Sequence, residues 1–303
     1  MPLLSSRRLS LDTDGLHHSE YNPSLVDVVP AEAAHLLRHL GFTAAHTVLI
    51  GGVVPSLLVL DPATNRPHLG TTDLDLCLSV AIVEGDTAEY ERIETALRNA
   101  GYEPTDDSFR WRQTDRLRLQ VEFFCPASDD RPSGKLFRPK AAENPTAKQN
   151  FGSKLTAIAL DAGHVIGDDV VVVAREIDLP DGGGRTTFDF RVTGVLGFLV
   201  AKSGALVGRD KPKDAYDIVW LVENFEGGPQ GVAVAIATSP AHGRPEVAVA
   251  LDRLFDEFSA PDRLGPSSYV RFMADDSMGA DDRQRLARQA VGALAELRRS
   301  LYR

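Results

Sequence analysis

Thr72-Asp73-Leu74-Asp75-Leu76-Cys77-Leu78 is the stretch from which the rest of the chain can be read. Leu74, Leu76 and Leu78 alternate with Asp73 and Asp75, and period-two alternation marks a strand with one buried face. Side chains two residues apart on a strand point the same way, so the two carboxylates share the face opposite the leucines. Upstream, Thr47-Val48-Leu49-Ile50 is a short apolar strand ending at Gly51-Gly52. Val53 to Leu60 then reads as helical, with Pro55 in the first turn, where a missing N–H is tolerated. Downstream, Thr87 to Asn99 is an amphipathic helix using Tyr90, Ile93 and Leu97, stopped by Gly101. Phe109 to Gln113 and Leu117 to Phe124, joined at Thr114-Asp115, predict a hairpin. In its second strand Leu117, Leu119, Val121 and Phe123 share one face, and Gln120 and Glu122 share the other.

Two carboxylates on one strand face are close enough to share divalent cations. A third from a neighbouring strand completes a hard-oxygen site for Mg²⁺, and Glu122 has the parity for it. The glycine pair before a helix lets backbone N–H groups approach a phosphate. Together these point to phosphoryl or nucleotidyl transfer, in which metals hold a triphosphate and stabilise charge on the attacked phosphorus. The plainer alternative is a solvent-facing Asp-x-Asp on an edge strand beside an ordinary glycine turn.

The wider chain sets bounds on this reading. At 303 residues, 43% hydrophobic and 25% charged, the composition is globular. The formal charge of −10 argues against a generally basic nucleic-acid coat protein, though not against a local basic patch. Cys77 and Cys125 are too few for a disulfide framework or a four-cysteine zinc site, which fits a reducing cytoplasm. Met1 to Arg8 offers no signal-peptide core, and the apolar run Val48 to Leu60 falls short of the ~18 residues of a membrane span. A cytoplasmic monomer without membrane attachment is expected.

Residues 1–30 read as a partly ordered arm, and Ala31 to Leu40 as a helix. Residues 126–150, with four prolines and few large apolar side chains, read as a linker. The expected division is therefore 1–150, an α/β domain with the arm, and 151–303, mixed and then mainly helical. In the second part, 155–160, 170–174 and 188–192 are strand-like and Gly182-Gly183-Gly184 is a turn. Helices follow at 194–208, 213–225, about 244–258 and 281–302.

A second cluster lies there. Lys202 and Arg209, seven apart, fall on one helix face, and Lys211-Pro212-Lys213-Asp214-Ala215-Tyr216-Asp217 follows. Lys202 also reads as a snorkelling lysine, Asp214 as a helix-start acid, and Tyr216 with Trp220 as core.

With both motifs in hand, the sequence resembles the AbiEii-type nucleotidyltransferases, which include the MenT toxins of mycobacteria. Their signature is a Gly-Gly turn followed by a Ser/Thr-x-Asp-Leu-Asp-Leu strand, here Gly51-Gly52 and Thr71-Thr72-Asp73-Leu74-Asp75-Leu76. Their second half carries a Lys, Ala-Leu, Arg and a basic-Asp-x-Tyr-Asp helix start, here Lys202, Ala205-Leu206, Arg209 and Lys213-Asp214-Ala215-Tyr216-Asp217. The arginine that the family often places four residues before the first Asp is Leu69 here, with Arg66 and His68 nearby. The resemblance spans about residues 48–222. It implies an α+β fold, a nucleotidyltransferase-type mixed sheet with flanking helices followed by a mainly helical C-terminal region. It also implies Asp73 and Asp75 as catalytic metal ligands, Lys202 as a triphosphate contact and Asp214 as an acid or organiser. Gly51, Gly52, Ser56, Thr72, Arg209 and Lys211 complete the expected nucleotide-binding set. The implied protein is an Mg²⁺-dependent toxin that moves a nucleoside monophosphate from an NTP to the 3′ end of tRNA, paired with a cognate antitoxin encoded beside it. The rivals are transfer to a small molecule or a protein hydroxyl, and a non-catalytic NTP-binding partner protein.

Charge adds an acceptor hypothesis. Between Arg110 and Lys154 ten basic residues stand against five acidic ones, and the last helix carries Arg285, Arg288 and Arg299 among six arginines. Both segments suit an RNA backbone. Arg285, Arg288 and Arg299 are the expected RNA contacts, with Trp111 and Phe137 as candidate stacking partners for bases and burial in the hairpin core as the equal alternative for Trp111.

Overall fold

The computed structural model describes residues 17–22, 24–79, 82, 87–106, 109–114, 117–138 and 154–303. The expectations for residues 1–16, for the turn at Asp115 and for 139–150 lie outside these described residues.

Helix α1 (Leu25–Leu40) leads into strand β1 (Thr47–Ile50), a 3₁₀ turn over Gly51–Val53 and the short helix α2 (Val54–Leu58). Then come β2 (Asp73–Leu78), α3 (Thr87–Asn99), β3 (Tyr102–Pro104), β4 (Arg110–Gln113) and β5 (Gln120–Pro126). Next are β6 (Leu136–Phe137), β7 (Ala157–Leu160), α4 (Gly163–Asp168), β8 (Val170–Leu179) and β9 (Gly184–Thr193). Six helices close the chain: α5 (Val195–Gly208), α6 (Lys213–Asn224), α7 (Gly228–Thr238), α8 (Pro245–Glu257), α9 (Leu264–Met273) and α10 (Ala280–Leu301).

The described strands form one mixed sheet in the order β3-β4-β5-β2-β1-β9-β8, with β7 beside β5 and β6 beside β7. β1 and β2 are antiparallel, whereas β2 and β5, and β1 and β9, are parallel. This is the expected open mixed sheet with flanking helices and a helical C-terminal region. The sheet runs across residue 150: β7, β8 and β9 lie beyond it, yet β7 pairs with β5 and β9 with β1, while β8 adds to the edge beside β9. The change from strand to helix comes at Gly194.

The leucine face of β2 is the inner one. Leu74, Leu76 and Leu78 are buried, as are Val121 and Phe123 on β5, and α1 and α3 cover them with Leu36, Leu40, Tyr90, Ile93 and Leu97. At ~2 kcal/mol for each fully buried large aliphatic side chain, this face fixes the register of β2 and hence the outward aim of Asp73 and Asp75. Helix α1 starts earlier than the sequence suggests and carries Pro30 inside. Leu25, Val29, Ala33, Leu36 and Leu40 recur every three or four residues and all are buried, and that burial outweighs the hydrogen bond Pro30 cannot donate. Helices α7 and α9 were absent from the sequence expectations. α7 is opened by Gly227 in the left-handed conformation and a proline in its first turn.

Candidate functional site

The acids sit where β1 ends and β2 begins. Asp75 lies opposite Ile50 on β1 and beside Glu122 on β5, and Asp73 lies beside Gln120. Gly51 has φ +72°, and a Cβ there would come within 1.9 Å of the Asp75 carboxylate oxygen. A Cβ at Gly52 would lie 2.7 Å from the Thr71 hydroxyl and 3.3 Å from Lys213 Nζ. The glycine pair thus leaves the room that the Asp75 carboxylate, Thr71 and Lys213 occupy. Gly51→Ala should strain a left-handed position by ~1–2 kcal/mol and push Asp75 aside. Since ~1 Å of misplacement can cost 10²-fold in rate, activity should fall by about that factor while unfolding stays cooperative. Steady-state transfer assays beside urea unfolding would check it, and unchanged activity would refute the packing role.

The electrostatics divide the two acids. Burial alone would raise the Asp73 carboxyl, but Lys211, 3.4 Å away, and the Thr71 hydroxyl that donates to Asp73 hold it down at about 2. Asp75 goes the other way. Burial, then the negative charges of Asp73 and Glu122, push it well above the ordinary carboxylate range. Glu122 is itself raised by burial even though Arg110 Nε donates to it at 2.6 Å. Three carboxylates crowd one sheet face with too little nearby positive charge for all to ionise comfortably.

Among the described residues no three His, Cys, Asp or Glu side chains converge on one metal position. Asp73 and Asp75 could serve as a donor pair, while Glu122 accepts from Arg110 Nε. Two carboxylates with the rest of the shell left to water and phosphate oxygens is how Mg²⁺ is commonly bound, so the donor set fits.

Behind the acids lies a buried ionic network from α5 and α6. Lys202 Nζ donates to Asp214 at 2.6 Å and Asp217 at 2.7 Å. Lys213 Nζ donates to Asp217 at 2.6 Å, and Arg209 grips Asp214 through Nε and Nη2 at 2.9 and 3.0 Å. Burial works against both carboxylates, but Lys202 holds both down, joined at Asp214 by Arg209 and at Asp217 by Lys213. Lys202 is only 5% exposed. Its ammonium is taken up by two carboxylates, so it acts on the site by fixing α5 to the start of α6. Arg209, with half its side chain exposed, and Lys211 are the cations that reach the acids' side.

His68 completes the network from the loop before β2. Its Nδ1 accepts the Gly70 N–H at 3.1 Å, so Nε2 carries the proton and donates to Asp217 at 3.0 Å. Burial lowers its pKa to about 4, which keeps the ring neutral at physiological pH. The same loop is pinned at three more points. Leu69 N–H donates to Tyr216 Oη, Trp220 Nε1 donates to the Arg66 carbonyl, and Thr64 donates to Asn224.

A model of the family described as nucleotidyl transferase AbiEii toxin, Type IV TA system, matches residues 35–294. The chain belongs to the AbiEii nucleotidyltransferase toxin family. It is a nucleotidyltransferase by that membership, and the family's toxin–antitoxin character implies a cognate antitoxin. Among solved structures, an antigenic nucleotidyltransferase-like protein from Paracoccidioides brasiliensis is similar at 12% identity, covering 83% of this chain and 97% of that one with a TM-score of 0.38. A search of curated proteins finds no match.

Within this AbiEii enzyme the other expected residues fall at different places. Thr72 is half-buried, and it is Thr71 that bonds Asp73. Ser56 Oγ donates to the Val53 carbonyl of its own turn at 2.8 Å and lines a cleft of about 720 Å³ with Val26, Arg175 and Ile177, away from the acids. Arg285 and Arg299 are exposed and pair with Asp282 and Glu296 on their own helix. Helix α10 is tied by Gln289 to Glu223, ~15 Å along α6 from Lys213 at 1.5 Å per residue, so the structure does not bring these arginines to the acids. Trp111 is fully buried on the leucine face and cannot stack on a base. Phe137 is half-buried beneath the Arg131 guanidinium. The network residues His68, Thr71, Lys213 and Asp217 were not singled out as site residues from sequence. Among the described residues no helix is long and apolar enough to cross a membrane.

Proposed function

We propose that this enzyme transfers a nucleoside monophosphate from an NTP to the 3′ end of an RNA, with tRNA as the expected acceptor, and that it needs Mg²⁺. The observation that carries the reading is the outward Asp73–Asp75 pair at the mouth of the sheet, flanked by Lys211 and Arg209. Mg²⁺ bound there would neutralise the triphosphate and stabilise charge at the α-phosphorus. Lys211 and Arg209 attract the β and γ phosphates as point and forked cations respectively. The acceptor 3′ oxygen bonds to the α-phosphorus and the α–β bridging bond breaks. Pyrophosphate leaves with the electron pair, and the hydroxyl proton goes to solvent. Asp214 and Asp217 organise the donor side by holding Arg209 and Lys213 in place. A MenT-like subtype is the finer identity that the motif spacing supports, and a cytoplasmic monomer is the form we propose for it.

The test is to incubate the protein with each α-labelled NTP and total cellular RNA, with and without EDTA. Label in the tRNA band that EDTA abolishes is the expected result. Label on protein or on a small molecule would overturn the acceptor, and EDTA-insensitive labelling would overturn the metal.

A further inference from the structure

The face of the sheet that bears the acids carries two straight rows of side chains across three strands. In one, Arg112 pairs with Gln120 and Gln120 with Asp73; in the other, Arg110 pairs with Glu122 and Glu122 with Asp75. Residues registered across neighbouring strands share a face, and strands are ~4.8 Å apart, so each arginine stands ~10 Å from its acid. The intervening Gln120 and Glu122 are half-buried, and Arg110, 38% exposed at its side chain, reaches over Glu122.

The other cations come from a separate element. Arg209 and Lys211 lie in the link between α5 and α6, and Lys213, the first residue of α6, stands beside Gly52 at the end of β1, the neighbour of β2 opposite β5. The acids therefore have positive charge on two sides, from separate elements. Nucleotidyl transfer brings two substrates to one phosphorus, and the donor triphosphate can occupy only one bank.

We propose that the β4 bank, Arg110 and Arg112, is the acceptor track: it takes the phosphates just behind the reacting 3′ end of a single-stranded nucleic acid, while the triphosphate lies on the Lys211–Arg209 side. The proposal rests on the nucleotidyl-transfer reading above and deepens it. A position ~10 Å from the acids, two strand spacings away, is within reach of the first phosphates behind the 3′ end of a single strand. A neutral small molecule or a protein hydroxyl would have no use for this bank. The track also replaces α10 as the acceptor surface, since α10 packs at the far end of α6.

The experiment measures binding of a 5′-fluorescent single-stranded oligoribonucleotide to wild type, Arg112→Gln and the Arg110→Gln/Arg112→Gln double variant between 50 and 300 mM salt. NTP binding is measured in parallel by calorimetry. For single strands the slope of log K against log salt is about −0.7 per neutralised phosphate. Arg112→Gln should flatten it by about 0.7 and weaken binding at least fivefold at 100 mM salt, with NTP affinity within twofold of wild type. A slope unchanged in Arg112→Gln overturns the track, and so does a loss of NTP affinity with RNA binding intact, which would assign the bank to the donor. Arg110 also holds Glu122, so if the double variant fails to unfold cooperatively, Arg112→Gln alone decides. A wild type that transfers label to no RNA and binds none overturns the underlying reading. One that labels RNA while the variants keep its slope overturns the track alone.

Discussion

Asp75→Asn should abolish nucleotidyl transfer, by at least ~10³-fold, and at the same time make the metal-free protein more stable. The first half follows from charge. Asn keeps the shape of Asp but not the anion, and losing a central cation ligand removes about 4 kcal/mol or more of transition-state stabilisation. The second half follows from the site's cost to the fold. Burial, Asp73 and Glu122 all oppose the ionised form of Asp75. Because its folded pKa is raised, the folded state binds a proton more tightly than the unfolded chain does. Stability of the wild type should therefore fall as pH rises above the ordinary carboxylate range, until the raised value is passed. The gain in Asp75→Asn should be absent below about pH 4 and grow above it. Thermal unfolding in EDTA at several pH values would read this, and added Mg²⁺ should narrow the gap by stabilising only the wild type. Full activity in the variant, or a variant no more stable than wild type at pH 8, would contradict the assignment. Asp73→Asn should be as inactive, yet without the stability gain, because Lys211 and Thr71 already favour the Asp73 anion.

Asp217→Asn should cost about 3–5 kcal/mol, the range for removing one partner of a buried ion pair. Asp217 accepts from Lys202, Lys213 and His68, so its loss leaves Lys213 buried without a carboxylate and halves the partners of Lys202. Total stability is commonly 5–15 kcal/mol, so this is a large part of it, and Tm should drop by roughly 10 °C. The sign with pH is opposite to that of Asp75. Lys202 and Lys213 depress Asp217 in the folded state against its burial, so its contribution is present above the ordinary carboxylate range and is lost as pH falls through its lowered value. Urea unfolding of the variant from pH 7 down to pH 3 would show a difference that shrinks with acid. A loss below ~1 kcal/mol at pH 7 would mean that the loop before β2 is held by something other than this network.

How much of this was legible in the chain depended on whether the signal was local. Asp73, Asp75 and Gly51 were readable because period two and a glycine turn are short-range patterns, and the buried leucines fix which way the acids face. What Lys202 pairs with was not legible, for a nameable reason. Its spacing to Arg209 locates a helix face but says nothing of what lies opposite, and Asp214 and Asp217 arrive from the next helix. His68 sits in a Pro- and Asn-rich loop and looks like any surface loop histidine, since its partner is 149 residues away. For Trp111 a signal was available. It stands opposite Val121 in the hairpin, on the leucine face, and parity alone would have placed it in the core. The reach of the sheet past residue 150 was hidden because β7 to β9 join the first half through pairing and packing between residues far apart in the chain.

The clamp that α6 places on residues 64–70 also sets an order in time. Translation delivers Asp73 and Asp75 well before Tyr216, Asp217, Trp220 and Asn224, the groups that fasten the loop leading into them. A ribosome-bound chain therefore carries its acids on an approach that nothing yet fastens, and Lys211 and Arg209 have still to emerge. For a member of a toxin family, the site is complete only when more than two-thirds of these 303 residues have been synthesised.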